Sequence, residues 1–427
     1  MNPAQGPMDF RGQLLGEVLP FWEAHGIDEK TGGYWTTINR DGSRYGSGAK
    51  YIVMQGRMIY SFCTGYRANG DQRFVDRNAA SLLAPASTGT GGKLEHTYLD
   101  LAAQGVKFFE EHFYDQKYGG WFFATSREGE PLDLMKRPYG TAFAIYALAE
   151  YNRLSGDAQA LKLAEETWDI EFRNAWDHER GGFFHECGVD WTPVNTTKRI
   201  DTMLHNMEGV SALYAATGNQ KYLDAIKLLC DTIINRCWDP KTGCTHEWFY
   251  QDWREDLTNT RGLANYGHIV ETAWFLAAVA GYTGSSDYLD FARKELDYAL
   301  KWGWDQEHGG LYSYGKPEGG VVDTTKVWWM QSEFLDALAI FYRLTGEERY
   351  LDYLKRQAEY IWNGQRDPLF GEWYMLCNAD GSPKDARKGM EWKAAYHVVQ
   401  GLFQADRHYT AAVEKQPRSK DWGDWSL

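Results

Sequence analysis

One motif recurs six times along the chain, and its spacing limits the folds that the chain can adopt. Each copy has an aspartate, a short turn, one or two glycines and aromatic residues, as in "GWDQEHGGLYS" from Gly303 to Ser313. The second glycine, or its replacement, is Gly33, Gly120, Gly182, Cys244, Gly310 and Glu372. The intervals are 87, 62, 62, 66 and 62 residues. A near-constant period of this length is typical of a repeat architecture.

The segments between the copies read as pairs of helices. The first helix of a pair is apolar nearly all round, as in "YGTAFAIYALAEYNRLSGD", and the second has a polar face, as in "AQALKLAEETWDIEFRN". A helix that is apolar all round is buried, whereas an amphipathic helix lies at the surface. We therefore predict inner and outer helices. The inner helices are predicted to begin near Tyr51, Tyr139, Asp201, Tyr266, Val327 and Glu391.

Six inner and six outer helices that close on themselves make an all-α fold, the (α/α)6 barrel. Glycine pairs permit the positive φ of a tight turn and aromatic residues favour strands, so each motif is predicted to be a short β-hairpin between helix pairs. No Ser/Pro-rich linker separates the repeats, so we predict a single catalytic domain over residues 1–427. The longer first interval places an insertion loop near residues 82–96.

Charge and cysteine content exclude several functions. The net charge is −14, whereas nucleic acid requires a basic patch, so we expect no nucleic-acid partner. No apolar run is long enough for a membrane span, so we expect no membrane partner. The six cysteines are scattered without a CxxC pair, and the N-terminus lacks the pattern of a signal peptide. Both observations favour a cytoplasmic protein with reduced thiols. Separately, we expect either a monomer or a homodimer.

Polar residues near the beginnings of the inner helices are the candidates for chemistry, because these helix ends surround a cavity in such a barrel. The first inner helix contains Arg57, and three others contain His205, His268 and His397. One buried histidine is more often a core residue than a catalyst. Three histidines at comparable positions, together with an arginine, are much less probable as a coincidence. We therefore interpret this set as an active site.

Acidic and aromatic residues accompany the histidines. Glu271 follows His268 by three positions, so the two share a helix face and the carboxylate is expected to orient the imidazole. Asp201 stands at the beginning of the third inner helix. Trp328 and Trp392 are candidate stacking surfaces for a sugar.

Motifs for metals and cofactors are missing from the sequence. The histidines have neither HxxxH nor HExxH spacing, and no GxSxG, P-loop or dinucleotide-binding fingerprint is present. We therefore expect neither a metal nor a cofactor.

The sequence resembles the N-acylglucosamine 2-epimerase superfamily over nearly its whole length. The resemblance runs from "KYIVMQGR" through "YGTAFAIYALAEY", "YGHIVETAW" and "WWMQSE" to "GEWY…DG…K…WKAAYH". That superfamily includes cellobiose 2-epimerases, mannose 2-epimerases, mannose isomerases and sulfoquinovose isomerases. The resemblance implies an (α/α)6 barrel, in agreement with the repeat count. It also implies an isomerase that acts on a small-molecule sugar.

The chemistry of the superfamily implies roles for the matching residues. The sugar ring opens, a histidine removes the proton from C2, and an enediolate forms. Return of the proton to the opposite face of C2 gives the epimer, and delivery to C1 gives a ketose. The match implies that His268 and His397 are the catalytic acid/base pair. It implies that Arg57 and His205 hold the sugar oxygens O1 and O2, where negative charge develops. The substrate-binding set is Arg57, His205, Glu271, Trp328, Trp392 and Asp201.

Within the superfamily, the motifs resemble cellobiose and mannose 2-epimerases most. We therefore predict inversion at C2 of a reducing aldose, either mannose or glucose or a β-1,4-linked disaccharide such as cellobiose. Two residues depart from the epimerase pattern: Asp201 replaces an Asn, and Gln400 stands where an Arg usually follows the last histidine.

Three alternatives stay open. The first is an aldose–ketose isomerase on the same site, of the mannose-to-fructose type. The second is a glycoside hydrolase, which would use two carboxylates from among Glu208, Glu271 and Glu333. The third is a sugar-binding protein without chemistry.

Overall fold

A computed structural model describes residues 4–69 and 97–425 of the chain. All six motif copies form the predicted antiparallel turns. Strands Trp238–Asp239 and Cys244–Thr245 close the fourth copy. Single bridges close the other five, and they join Ile27 to Tyr34, Tyr114 to Trp121, Trp176 to Phe183, Trp304 to Leu311 and Arg366 to Trp373. The predicted insertion loop at 82–96 lies outside the described residues.

Six inner helices follow the hairpins. They are Ile52–Asn69, Pro138–Ser155, Ile200–Thr217, Tyr266–Thr283, Trp328–Thr345 and Tyr396–Val413. Five of them begin within one residue of the predicted position. The sixth begins at Tyr396 and not near Glu391, so that prediction was wrong. The physical reason is a tight turn before the helix, in which the backbones of Met390 and Lys393 exchange two hydrogen bonds of 3.1 Å.

Outer helices pack against the inner ones. They are Tyr98–His112, Ala158–Ala175, Gln220–Thr232, Ser286–Trp302, Glu348–Tyr360 and, at the start of the chain, Phe10–Gln13 with Leu19–His25. The π-helical turns Leu14–Val18, Ile233–Cys237 and Ile361–Gln365 interrupt or extend three of them. The predicted difference in burial is clear in the fourth pair. Fifteen of 18 residues are buried in the inner helix Tyr266–Thr283, against seven of 17 in the outer helix Ser286–Trp302.

The inner helices close into a ring. Each packs against the next in chain order, and the sixth packs against the first. The outer helix at Phe10–Gln13 packs on the sixth inner helix, so the beginning of the chain completes the outer layer. One hydrophobic cluster extends from Phe10 to Trp425. The predicted (α/α)6 barrel with short hairpins is therefore confirmed.

The C-terminal segment covers the end of the ring that lies opposite the hairpins. The indole of Trp422 donates a hydrogen bond to the carbonyl of Ser211 at 3.0 Å. Trp425 is buried against Gly281, where even a β-carbon would collide with the ring. The C-terminal segment thus closes this end of the ring. In the described ranges, no helix has the length and apolarity needed to cross a bilayer.

Small sheets at the hairpin end join neighbouring repeats. The residues before an inner helix pair with those after the next hairpin, as Lys198–Arg199 pairs with Trp248–Phe249. Three sheets have a third strand. The first consists of Lys50–Tyr51, Ala124–Thr125 and Pro131–Asp133, and the second of Ala264–Asn265, Tyr314–Gly315 and Val321–Asp323. The third consists of Lys326–Val327, Leu376–Cys377 and Pro383–Asp385. Strands Glu186–Cys187 and Pro193–Asn195 form a further hairpin.

Five hairpins contain a buried aspartate–lysine pair, which we call a rim pair. One aspartate oxygen accepts backbone N–H groups inside the turn, as Asp115 does from Lys117 and Tyr118. The other oxygen faces a fully buried lysine from the segment that leads to the inner helix. The pairs are Asp28–Lys50, Asp115–Lys136, Asp177–Lys198, Asp305–Lys326 and Asp367–Lys388, at 2.8 to 3.3 Å.

Candidate active site

A cavity of about 650 Å³ lies among the beginnings of the inner helices. Its wall brings together all eight candidate residues from the sequence, which are Arg57, Asp201, His205, His268, Glu271, Trp328, Trp392 and His397. They come from five inner helices and from the turn before the sixth, so the ring alone makes them neighbours.

Each of the three cavity histidines has a carboxylate at Nδ1. Oε2 of Glu208 lies 2.6 Å from Nδ1 of His205, and Oε1 of Glu333 lies 2.6 Å from Nδ1 of His397. The third pair joins His268 to Glu247. This arrangement fixes each ring and directs Nε2 into the cavity. A histidine held in this way can exchange a proton at Nε2 while the carboxylate stabilises the imidazolium.

The partner of His268 differs from the prediction. Glu271 shares the helix with His268 but points one turn deeper, where Oε1 lies 3.9 Å from Nε2 of His205. Glu247 comes from beyond the fourth hairpin and reaches Nδ1 of His268, which also lies 3.3 Å from the amide of Asn265. Glu271 therefore does not orient His268. Spacing of three residues places two side chains on one face, but a closer acceptor from another segment decides the contact.

Burial controls protonation around His397. Burial lowers the pKa of His397 well below its usual range, and the positive charge of Arg57 lowers it further. Burial also raises the pKa of Glu333 to about 8, although a hydrogen bond from the indole of Trp274 opposes this shift. Both shifts favour the uncharged forms of the two groups. When the neutral imidazole has its proton on Nδ1, Nε2 has a lone pair and can act as a base.

Glu271 is a buried carboxyl group at the floor of the cavity. Burial raises the pKa of Glu271 well above its usual range, and the nearby carboxylates of Glu333 and Glu208 act in the same direction. Within the described part of the chain, neither of its oxygens has a hydrogen-bond partner. A neutral carboxylic acid in this position can both donate and accept a hydrogen bond.

Arg57 lies under the aromatic wall of the cavity. Its Nη1 donates to the carbonyl of Trp392 at 2.5 Å, and its Nη2 donates to the hydroxyl of Tyr139 at 3.0 Å. The guanidinium carbon lies 4.5 Å from the ring centre of Phe143. These contacts fix a cation beside the histidines.

Asp201 lines the cavity as an ion-paired group. It contacts Arg199, whose guanidinium stacks on Trp248 at 4.2 Å. Burial acts to raise the pKa of Asp201, but the charge of Arg199 and the nearby histidines hold it below the usual range. The other departure from the epimerase pattern, Gln400, is not part of the cavity wall. It lies deeper and donates to Glu208 at 2.9 Å.

Several cavity residues were missed by sequence reasoning. They are Tyr139, Arg199, Glu247, Trp248, Arg261, Asn265, Tyr314, Asp323 and Trp329. Trp329 lies between the two proposed acid/base groups, 5.0 Å from the ring centre of His268 and 5.7 Å from that of His397. The Trp328–Trp329 pair was visible in the sequence. Tyr139 stands in the second inner helix, and the others stand in strands and connecting segments, where the repeat pattern has no signal for function.

The fold and the cavity define the class of protein: an (α/α)6-barrel enzyme with paired histidines at the hairpin end. No group of three metal-ligating side chains with suitable geometry occurs in residues 4–69 and 97–425. The family model of N-acylglucosamine 2-epimerase matches residues 86–401, which is more than half of the chain. The chain therefore belongs to the N-acylglucosamine 2-epimerase family, as the motifs predicted, and it is an enzyme of the epimerase and isomerase type.

Individual relatives agree with this assignment. The cellobiose 2-epimerase of Ruminococcus albus is 27% identical over 417 residues, which cover 91% of this chain and 95% of that protein. The D-mannose isomerase of Marinomonas mediterranea is 26% identical over 416 residues, which cover 94% and 98%. Among solved structures, the cellobiose 2-epimerase from Spirochaeta thermophila has a TM-score of 0.80 at 28% identity and covers 95% of this chain and 97% of that chain.

Proposed function

We propose that this protein is a sugar 2-epimerase that inverts C2 of a reducing aldose. The observation that supports the proposal is the set of cavity histidines, each held by a carboxylate at Nδ1 with Nε2 directed inward. Two such bases on different inner helices can approach C2 from opposite sides. Imidazole suits this step because its proton affinity is close to that required at neutral pH.

The proposed steps conserve protons and electrons. After ring opening, Nε2 of one histidine, His268 or His397, takes the C2 proton, and the C–H electron pair forms the enediolate. The other histidine delivers a proton to the opposite face of C2, and the electron pair returns to that C–H bond. Nothing is oxidised or reduced, so no cofactor is required.

The remaining candidates bind the sugar in this proposal. Arg57 and His205 donate to O1 and O2, where the enediolate is negative. Glu271, as a neutral acid, hydrogen-bonds a hydroxyl group on the same side. Trp328 and Trp392 pack against the ring. Asp201 contacts the sugar together with Arg199.

The cavity volume of about 650 Å³ exceeds what one hexose requires, so both monosaccharides and β-1,4-linked disaccharides such as cellobiose are proposed substrates. We also propose a single catalytic domain over residues 1–427, acting in the cytoplasm as a monomer or homodimer without nucleic acid. Six free, buried cysteines support a reducing compartment.

Two other functions are tested by the same experiment. Aldose–ketose isomerisation is the second candidate, because a D-mannose isomerase is among the relatives. Glycoside hydrolysis is disfavoured by geometry. Glu208 and Glu333 are bound to histidines, and Glu208 also accepts from Tyr396 and Gln400, so neither is available as a nucleophile.

The experiment is an aldose panel of mannose, glucose and cellobiose in deuterated water, followed by NMR. A 2-epimer with deuterium at C2 is the expected product. A ketose would favour the isomerase, and a monosaccharide released from cellobiose would favour a hydrolase. Thermal stabilisation by a sugar without turnover would support a binding protein and overturn the proposal.

A further inference from the structure

The sixth repeat has an unusual residue in its hairpin. Glu372 stands where four sibling hairpins have a glycine, and it keeps their left-handed backbone with φ of +59°. A residue with a β-carbon is uncommon in this region, because the carbon crowds the backbone. The Glu372 side chain is also fully buried. Strain of this kind persists only where the surrounding structure requires it.

The side chain of Glu372 forms a second buried ion pair in this repeat. Nζ of Lys393 donates to Oε2 of Glu372 at 2.7 Å, and both side chains are fully buried. The ordinary rim pair, Asp367 with Lys388, is present as well at 3.1 Å. The Glu372–Lys393 pair is therefore additional to the contact that closes the hairpin.

Lys393 lies in the turn that builds one wall of the cavity. Two backbone hydrogen bonds of 3.1 Å join it to Met390. The carbonyl of the preceding residue, Trp392, accepts the hydrogen bond from Arg57. The ammonium group of Lys393 lies 5.4 Å from the ring centre of Trp328. One buried anchor thus supports three cavity residues.

We propose that Glu372 and Lys393 are positioning residues, which fix the turn at 390–393 and thereby hold Arg57 in its catalytic orientation. The inference rests on the proposed function, in which Arg57 stabilises negative charge on the sugar. Among the described residues, the guanidinium of Arg57 donates hydrogen bonds to the Trp392 carbonyl and the Tyr139 hydroxyl. A turn that shifts removes one of them.

The test uses a variant that removes Glu372 and Lys393 together, so that neither charge is left buried without its partner. In E372G/K393M, glycine suits the left-handed backbone and both ions are lost together, so we expect the melting temperature to stay within about 5 °C of the wild type. We expect kcat/KM to fall at least about tenfold, mostly through kcat. The matched control is D115N/K136M, which removes a rim pair with the same 21-residue spacing and similar burial. Its kcat/KM should stay within about twofold.

A double-mutant cycle with R57K distinguishes an effect on the position of Arg57 from a general loss of stability. The effects of E372G/K393M and R57K on kcat should be non-additive, because both act through the same guanidinium, whereas those of D115N/K136M and R57K should add. Additive effects in both cycles would overturn the proposal. If E372G/K393M does not fold, E372Q replaces it, because the neutral amide weakens the contact with the Lys393 ammonium group while the side chain keeps its size. Non-additivity with R57K is again the expected result.

A readout without turnover keeps the two proposals distinguishable. Amide hydrogen exchange over residues 390–396 should accelerate at least about tenfold in E372G/K393M and stay unchanged in D115N/K136M. Unchanged exchange in the first variant would overturn the positioning role. A wild-type protein that turns over none of the aldoses would instead overturn the proposed function, and the exchange result would still stand.

Discussion

The second and fourth repeats use the same framework for different purposes. In the second, Lys136 stands two residues before the inner helix and forms a buried pair with Asp115. In the fourth, Ala264 stands at that position, and Oδ2 of Asp239 instead lies 3.9 Å from Nε2 of His246. In the second repeat, both charged residues therefore close the hairpin. The fourth repeat has no lysine at this position.

The fourth repeat places its polar residues in the cavity. The segment after its hairpin supplies Glu247 and Trp248, and Asn265 follows the missing lysine. The sixth repeat departs as well, with an extra turn before its helix. These two irregular repeats carry His268 and His397. A rim pair satisfies both of its partners, whereas a histidine paired at Nδ1 keeps a second nitrogen for chemistry. The two proposed acid/base groups thus lie in irregular repeats, whereas His205 lies in the regular third repeat.

The strongest test of this contrast replaces the histidines of the irregular repeats. In H268N and H397N we expect kcat to fall at least about 10³-fold with the fold retained, because asparagine cannot transfer the proton. Steady-state kinetics and circular dichroism measure the two effects. The control is H308N in the regular fifth hairpin, where the side chain is exposed and activity should not change. Turnover within about tenfold of wild type in both variants would refute the acid/base assignment.

Removal of one partner from a regular rim pair should lower the stability of the protein and leave its kcat almost unchanged, which is the reverse of the effect expected for the histidines. K136M leaves the buried Asp115 carboxylate without its cation, so we expect a loss of about 3 kcal/mol in the free energy of unfolding. The kcat of the folded protein should stay near the wild-type value. Urea unfolding and kinetics on the same samples check this. A large fall in kcat without a loss of stability would show that the rim pairs also serve catalysis.

The two glutamates near His268 can be compared directly. In E247Q we expect kcat to fall about a hundredfold, because the imidazolium loses its carboxylate. In E271Q the loss should be smaller, since burial raises the pKa of Glu271 and so favours the neutral acid, which an amide resembles. Kinetics of both variants at pH 7 decide between them. A greater loss in E271Q would restore the pairing that the three-residue spacing predicted.

The rim pair of the sixth repeat should show a pH dependence of stability. Burial acts to raise the pKa of Asp367, but Arg40 and Lys388 lower it to about 2. The value for an unfolded chain is about 3.9, so the contribution is complete above that pH and is lost as the pH falls towards 2. D367N should lose about 2.5 kcal/mol at pH 7. Urea unfolding at several pH values should show this difference narrowing below about pH 4, whereas a constant difference would contradict the pKa shift.

Much of the fold was already determined by the sequence. The period of the hairpin motif counted the repeats, and the burial pattern separated inner from outer helices, because both depend on local spacing along the chain. In such a ring, equivalent positions of successive repeats converge on one cavity. For that reason Arg57, His205, His268 and His397 could be selected together without a structure.

Only the tertiary structure decided which groups act on each other. Glu247 lies 21 residues from His268, and Glu333 lies 64 residues from His397, so neither contact has a local signal. The turn that delays the sixth helix likewise contains Lys393, whose buried partner Glu372 comes from another segment. Spacing along a helix places two side chains on one face, but the nearest acceptor in three dimensions determines the hydrogen bond.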